Sequence, residues 1–327
     1  MLKFGNYILN NFPVALAPME DISDPPFRYL CAKYGADFFI TEFISSEGLI
    51  REVEKSLKKA EIKDYERPIG VQIFGNNPES MAKAAQVAEQ MHPDFIDLNF
   101  GCPVKKIAGK GAGAGLLNNI PLLIEIAEKV VKAVKLPVTV KTRLGWDEKN
   151  KNILDITKQL QDVGVHAITI HGRTKKQMYK GNADWTLIGE IKNHPDIYIP
   201  VIGNGDITSP EIAKQKFDQY NVDAIMVGRA SVGKPWIFKQ IKHFSTTGEN
   251  LPEPKIAEKV EIAKEHLIKS IEWKGEKTGV LEMRRHFSNY FKSLPNFKPI
   301  RLKLVTENDP KIIHEILDEI PHLFPSF

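Results

Sequence analysis

The residues nearest to chemistry lie in Asp97-Leu98-Asn99-Phe100-Gly101-Cys102-Pro103. Phe95 and Ile96 start a buried strand, and the Gly and Pro end it in a sharp turn. Cys102 therefore follows the C-terminal end of a strand, where repeating β/α chains place reactive groups. A thiol there can give or take a proton, attack a carbon or bind a metal. The other reading is a small apolar filler, since free cysteine is often buried. Lys141, in Val138-Thr139-Val140-Lys141-Thr142-Arg143, is the second such group. A lysine on a buried strand is costly unless it meets an anion or acceptor. It snorkels to solvent, contacts an electron-rich ring or forms a Schiff base. His171 ends Ile168-Thr169-Ile170-His171-Gly172. A lone histidine is more often a satisfied core residue, but a strand end favours a pocket.

Read along the chain, strand ends supply Met19, Gln72, Asn99, Cys102, Lys141, Arg143, His171, Asn204, Asp206, Gly228 and Arg229. Strands buried on both faces end in apolar or turn residues when they only support structure. Five polar ends point instead to a polar ligand. Asn204-Gly205-Asp206 and Gly228-Arg229 fall after the seventh and eighth strands, the usual phosphate site of a β/α barrel. Gly203 and Gly205 let backbone N–H groups approach, and Arg229 supplies a charged fork; ordinary turns are the alternative. The Gly109–Gly115 stretch lacks the Lys-Ser/Thr ending of a phosphate loop and reads as a mobile lid near Cys102. Cys31 sits in a helical pattern and reads as filler. Few carboxylates occur at the strand ends, so no metal site is expected.

The elements that must carry these residues are eight near-continuously apolar runs, as expected of parallel strands covered on both faces. They are Val14–Ala17, Phe38–Thr41, Ile69–Phe74, Phe95–Asn99, Val138–Thr142, Ala167–His171, Val201–Asn204 and Ala224–Val227. Amphipathic helical patterns, such as Met81–Met91 and Leu122–Val134, fill the intervals. The fold class is α/β, a (β/α)8 TIM barrel. A doubly wound sheet normally carries a Gly-rich turn after its first strand, and here that turn is Pro18-Met19-Glu20-Asp21. After Phe244 the strands stop. Ser245–Pro254 reads as a linker, and Lys255–Trp273, Leu281–Lys292 and Pro310–Glu319 as helices, giving a barrel over 1–244 and an all-helical domain over 245–327.

No apolar run approaches the ~20 residues of a membrane span, and the first eleven residues show no signal pattern. Two cysteines make no disulfide framework, so a reducing cytoplasm is the expected setting. The net charge of +4 is mild, but Lys274–Lys303 carries eight basic residues, among them Arg284 and Arg285, against two acidic ones. His286, Tyr290 and Phe291 interleave with them to pack or stack, and the strip is either an RNA-phosphate surface or a solvated helix face.

These motifs together resemble the tRNA-dihydrouridine synthases. The resemblance rests on Leu16-Ala17-Pro18-Met19, Val71-Gln72-Ile73-Phe74-Gly75, Asn99-Phe100-Gly101-Cys102-Pro103, Val140-Lys141-Thr142-Arg143, His171-Gly172-Arg173-Thr174, Gly203-Asn204-Gly205-Asp206-Ile207 and Gly228-Arg229-Ala230. Gln177-Met178-Tyr179-Lys180-Gly181 and Gly233-Lys234-Pro235-Trp236-Ile237-Phe238 look most like the bacterial B-type branch. Phe100 stands where many members carry Met.

The resemblance implies an FMN oxidoreductase that reduces the C5=C6 bond of uridines in tRNA, with NADPH or NADH as transient hydride donor. It implies that Pro18, Met19 and Glu20 line the flavin, Gln72 and Lys141 touch its ring, and His171 sits beside it. Asn204, Gly205, Asp206, Gly228 and Arg229 would hold the ribityl chain and phosphate. Asn99 and Arg143 would face the uracil, Arg284 and Arg285 the RNA, and Cys102 would be the proton donor. A thiol with pKa near ~8.5 is mostly protonated at neutral pH and suits that role. The base must leave its stack to enter the pocket. A monomer is expected. The competing readings are a flavin barrel acting on a free pyrimidine, a Schiff-base lyase using Lys141, and a non-catalytic RNA-binding module.

Overall fold

In the computed structural model the described residues are 2–4, 6–9 and 11–325. The strands are β1 (Leu2–Phe4), β2 (Tyr7–Leu9), β3 (Val14–Leu16), β4 (Phe39–Ile40), β5 (Ile44–Ser45), β6 (Ile69–Phe74), β7 (Phe95–Asn99), β8 (Val138–Arg143), β9 (Ala167–His171), β10 (Val201–Asn204) and β11 (Ala224–Val227). The sheet runs β3-β11-β10-β9-β8-β7-β6-β4, all parallel, with β5 on β6. A parallel bridge between Ala15 and Phe38 joins the first and last strands, and the barrel closes. Each of the eight expected runs is a barrel strand.

Strand side chains alternate between faces, so each barrel strand sends every second residue inward. Outward residues such as Val71, Ile96, Leu98, Val140, Ile168 and Ile225 pack under the surrounding helices. Inward ones, including Ala15, Ala17, Phe38, Ile40, Phe95, Ala167, Ile202 and Ala224, form a separate core inside the barrel. The short antiparallel β1–β2 hairpin adds Leu2 and Phe4 to that core. Phe4 stacks on Phe95 with centroids 4.2 Å apart, so this end is filled by side chains. Gly70 makes room, since a Cβ there would lie 2.2 Å from the Phe95 ring. Above this filled end the inward residues turn polar.

After β11 all regular elements among the described residues are helices. The helix from Ile237 runs to Thr247, past the expected start of the linker, and ends at Gly248 in the left-handed region (φ +76°). Helices Ile256–Lys274, Glu276–Tyr290, Lys298–Thr306 and Pro310–Leu323 follow and share one apolar core. Leu30, on the first barrel helix Pro25–Lys33, contributes to that core. Cys31 on the same helix is fully buried apolar filler. No described helix is long and apolar enough to cross a membrane.

The Gly-rich stretch expected to be a mobile lid is packed instead. Lys105–Ala108 is helical, Gly113–Asn118 is a 3-10 helix, and residues 113–117 are buried. A Cβ on Gly115 would meet the Ala108 carbonyl at 2.4 Å and one on Gly113 the Cys102 carbonyl at 3.0 Å. These glycines serve close packing.

Candidate active site

The polar end of the barrel holds a cavity of about 650 Å³, within the usual range for a ligand site. Of the expected residues it brings together Pro18, Met19, Glu20, Asn99, Cys102, Lys141, Arg143, His171, Asn204, Gly205, Asp206, Gly228 and Arg229. They come from six strand ends, which closure of the sheet aims at one point.

A buried chain of hydrogen bonds places Cys102. Asp97 accepts from Thr139 Oγ1 (2.5 Å) and Gln72 Nε2 (2.6 Å). Because the Gln72 amide must donate to that carboxylate, its Oε1 accepts from Asn99 Nδ2 at 2.8 Å. Asn99 Oδ1 then accepts from the N–H groups of Gly101 (3.1 Å) and Cys102 (2.9 Å). Burial pushes the Asp97 carboxyl up to about 6, against the pull of its two hydrogen bonds and of Lys141. Gln72 is fully buried and lies outside the cavity lining, where its Oε1 holds Asn99. The reason is register: Gln72 pairs with Asp97 and Asn99 with Lys141, leaving Gln72 one layer deeper.

Cys102 itself is 8 % exposed. Burial raises its thiol above the usual range, while the Val104 N–H and the charges of Arg143 and Lys141 offset part of that. A protonated thiol at neutral pH is an acid in waiting and a poor nucleophile. Lys141 Nζ donates to Asn204 Oδ1 at 3.3 Å. Burial and the charge of Arg143 bring its amine down to about 8, against the attraction of Asp97.

Arg143 lines the cavity, but it donates to the carbonyls of Gly101 (2.7 Å), Thr174 (3.2 Å) and Met178 (2.7 Å). It thereby ties the Cys102 loop to the loop after β9. The Asp206 carboxylate is likewise committed, to Arg173, to the Ala183 N–H and to Arg229. The N–H groups of Gly205, Asp206, Gly228 and Arg229 have no backbone hydrogen bond to another described residue. With the Arg229 guanidinium, 59 % exposed, they offer a set of donors fit for an anion.

Arg284 lies outside the cavity and donates to the carbonyls of Thr306 and Glu307 and to Asn308 Oδ1, which makes it a cap on the helix Lys298–Thr306. Arg285 donates to the Asp21 carbonyl at 3.0 Å, beside the cavity residue Glu20. His286, Tyr290 and Phe291 are buried and pack, so they have no face to stack on RNA. Lys274 is nearly buried between Asp24 and Glu282. Lys277, Lys292, Lys298, Arg301 and Lys303 remain exposed. Among the described residues the one carboxylate trio that could approach a metal is Glu20, Asp21 and Glu42; Lys59 sits on it, 2.7 Å from Glu20.

Tyr179 and Arg173 reach the site without having been assigned a role from the sequence. Tyr179 is 51 % exposed on the cavity wall. The guanidinium carbons of Arg143 and Arg229 lie 5.5 Å and 5.1 Å from its ring centre. Arg173 is buried behind Asp206. The signal was the run from His171 to Gly181, which keeps aromatic and cationic residues in one loop after a strand.

Solved structures share this fold at low identity. Histamine dehydrogenase from Rhizobium sp. 4-9 superposes with a TM-score of 0.56 at 14% identity, covering 82% of this chain and 50% of that one. Morphinone reductase in complex with tetrahydroNAD does so at 0.52 and 13%, covering 79% and 92%. Sequence relatives are far nearer. A Rickettsia conorii protein named "Probable tRNA-dihydrouridine synthase" is 42% identical over 98% of this chain and 96% of its own length. The tRNA-dihydrouridine synthase B of Pseudomonas putida is 41% identical over 92% and 89%. The model of the family described as dihydrouridine synthase matches residues 15–320. A match that spans the barrel and nearly all of the helical region, with relatives near 40% identity along the same length, makes this chain a member of the dihydrouridine synthase family.

Proposed function

We propose that this protein reduces the C5=C6 bond of uridines in tRNA to 5,6-dihydrouridine, using FMN and a nicotinamide hydride donor. The carrying observation is a nearly buried thiol, its pKa raised by burial, on the wall of a cavity whose other side offers anion donors. The donor set fits FMN. The free N–H groups at the ends of β10 and β11, with Arg229, would take the phosphate. Lys141 and His171 would meet the ring, and Pro18, Met19 and Glu20 would border it. When bound, FMN supplies the hydride that C6 of the uracil accepts.

The chain's own residues do the rest. Cys102 gives its Sγ proton to C5, and the thiolate left behind is reprotonated from water. Asn99 holds the Cys102 loop through two backbone N–H groups, and Arg143 holds it from the carbonyl side. The helical domain of residues 245–327 is the proposed RNA-binding unit, with Lys277, Lys292, Lys298, Arg301 and Lys303 as phosphate contacts and Arg285 at the rim. A polyanion on such residues binds with strong salt dependence.

The deciding experiment maps dihydrouridine across total RNA from cells with and without the gene. Loss at defined tRNA positions is the expected result; an unchanged map removes the reading. Purified Arg229→Ala is expected to fold normally, because the side chain is mostly exposed, and to hold FMN about 10- to 100-fold more weakly, the worth of a charged hydrogen bond. Flavin occupancy after gel filtration reads this, and full occupancy would reject the phosphate role.

A further inference from the structure

Arg173 Nη1 lies 3.2 Å from His171 Nε2, with both side chains buried. A guanidinium has five N–H donors, no acceptor, and keeps its proton in proteins. Here all five have acceptors. Nη1 donates to Asp206 Oδ1 (3.0 Å) and toward His171, Nη2 to Asp206 Oδ2 (2.7 Å) and the Gly181 carbonyl (2.5 Å), and Nε to the Lys180 carbonyl (3.2 Å). His171 Nε2 must therefore accept. It carries no hydrogen, and the proton of the neutral ring sits on Nδ1.

We propose that Arg173 is a positioning residue that locks His171 in its Nδ1–H tautomer, so that the imidazole offers the cavity one fixed N–H donor. The ring orientation agrees. Turning the ring over would set a carbon against the Arg173 N–H. The Cδ2–Nε2 edge already faces Gly205, where a Cβ would come within 3.1 Å of Cδ2. The opposite edge carries Nδ1, which has no hydrogen bond to another described residue, and His171 lines the cavity.

Protonation of the second nitrogen is blocked from every side. A hydrogen on Nε2 would point at a guanidinium. The other charges around the ring are those of Arg143, Lys141 and Arg229, while Asp206 lies behind Arg173 and the Tyr179 ring is 6.3 Å away. Burial, then these cations, hold His171 well below the usual imidazole range. The ring thus stays a neutral donor. It suits a ligand with an acceptor atom, a carbonyl oxygen or an unprotonated ring nitrogen, and it takes the imidazole out of proton donation to carbon, which stays with Cys102; this last step rests on the function proposed above.

The test is the long-range ¹H–¹⁵N correlation spectrum of the full-length protein labelled in its histidines. His171→Asn identifies the signal by its disappearance. The expected wild-type pattern is Nδ1–H, favoured about tenfold or more as a charged hydrogen bond implies, with no titration between about pH 5 and 8, the range that spans the ordinary imidazole pKa. Arg173→Lys, also a pure donor, keeps that pattern. Arg173→Met lets the Nε2–H form appear, while burial and the charges of Arg143 and Lys141 still keep the ring from titrating. A wild-type ring that is Nε2–H, or that titrates normally, overturns the proposal without reference to any variant's folding. So does Arg173→Met with an unchanged spectrum. Recording the spectrum with and without flavin separates this result from the flavin assignment, since the tautomer is set by the chain alone.

Discussion

Cys102→Ala is expected to lower dihydrouridine formation by about 10²–10⁴-fold, the usual contribution of a positioned general acid, while leaving fold and flavin uptake intact. The fold survives because what holds this loop is backbone. Asn99 accepts from the Gly101 and Cys102 N–H groups, and the Cys102 carbonyl accepts from Ala114 N at 3.0 Å. None of these bonds needs the sulfur. Flavin uptake survives because the anion donors lie across the cavity, at Gly205 to Asp206 and Gly228 to Arg229. The variant should therefore still be reduced by NADPH, visible as bleaching of the flavin band, yet leave tRNA unmodified in a dihydrouridine assay. The pH dependence has a definite sign. In the proposed mechanism the protonated thiol is the active form, and burial raises its pKa. The thiol's own limb of the rate profile should therefore lie above the ordinary thiol range, at higher pH than the limb that loss of the Lys141 charge sets near 8. Normal product formation by Cys102→Ala would remove the thiol from the mechanism.

The barrel was legible because its pattern is physical. A strand covered on both faces must be apolar almost throughout, so polar residues appear only where it opens on the cavity. That rule found Asn99, Lys141, His171 and Asn204. It did not give depth, because composition does not fix register, and Gln72 lies one layer below the cavity lining, opposite Asp97. The β1–β2 hairpin escaped because three-residue strands carry almost no periodic signal. Part of the basic strip is committed within the protein, which the sequence could not show for a similar reason. Lys274 pairs with Asp24 and Arg285 with Asp21, partners more than two hundred residues away in sequence. Arg284 is engaged by carbonyls, which have no letter in the sequence. Those pairings fasten the helical domain to the loop after β3, beside the cavity mouth.

Lys141→Met tests the other half of the site. The methionine keeps most of the length and removes the charge, so the barrel should remain as stable as before or gain slightly. A folded pKa of about 8 against the ordinary 10.5 means the folded chain binds the Lys141 proton less readily than the unfolded one. The charged lysine therefore lowers stability below about pH 8, and its removal costs no folding energy. The cost falls on function. A single preorganised donor aimed at developing negative charge is worth about 10²–10³-fold in rate, and loss of that order is expected in product formation. Flavin affinity supplies the pH arm. Wild type should bind most tightly where Lys141 is charged and weaken as pH rises through about 8, because the ammonium favours an anionic ligand and the free amine does not. In the methionine variant that limb disappears and affinity is low and flat. Titration of flavin fluorescence from neutral to alkaline pH, on both proteins, reads the difference directly. Parallel curves would show that the Lys141 charge takes no part in holding the cofactor.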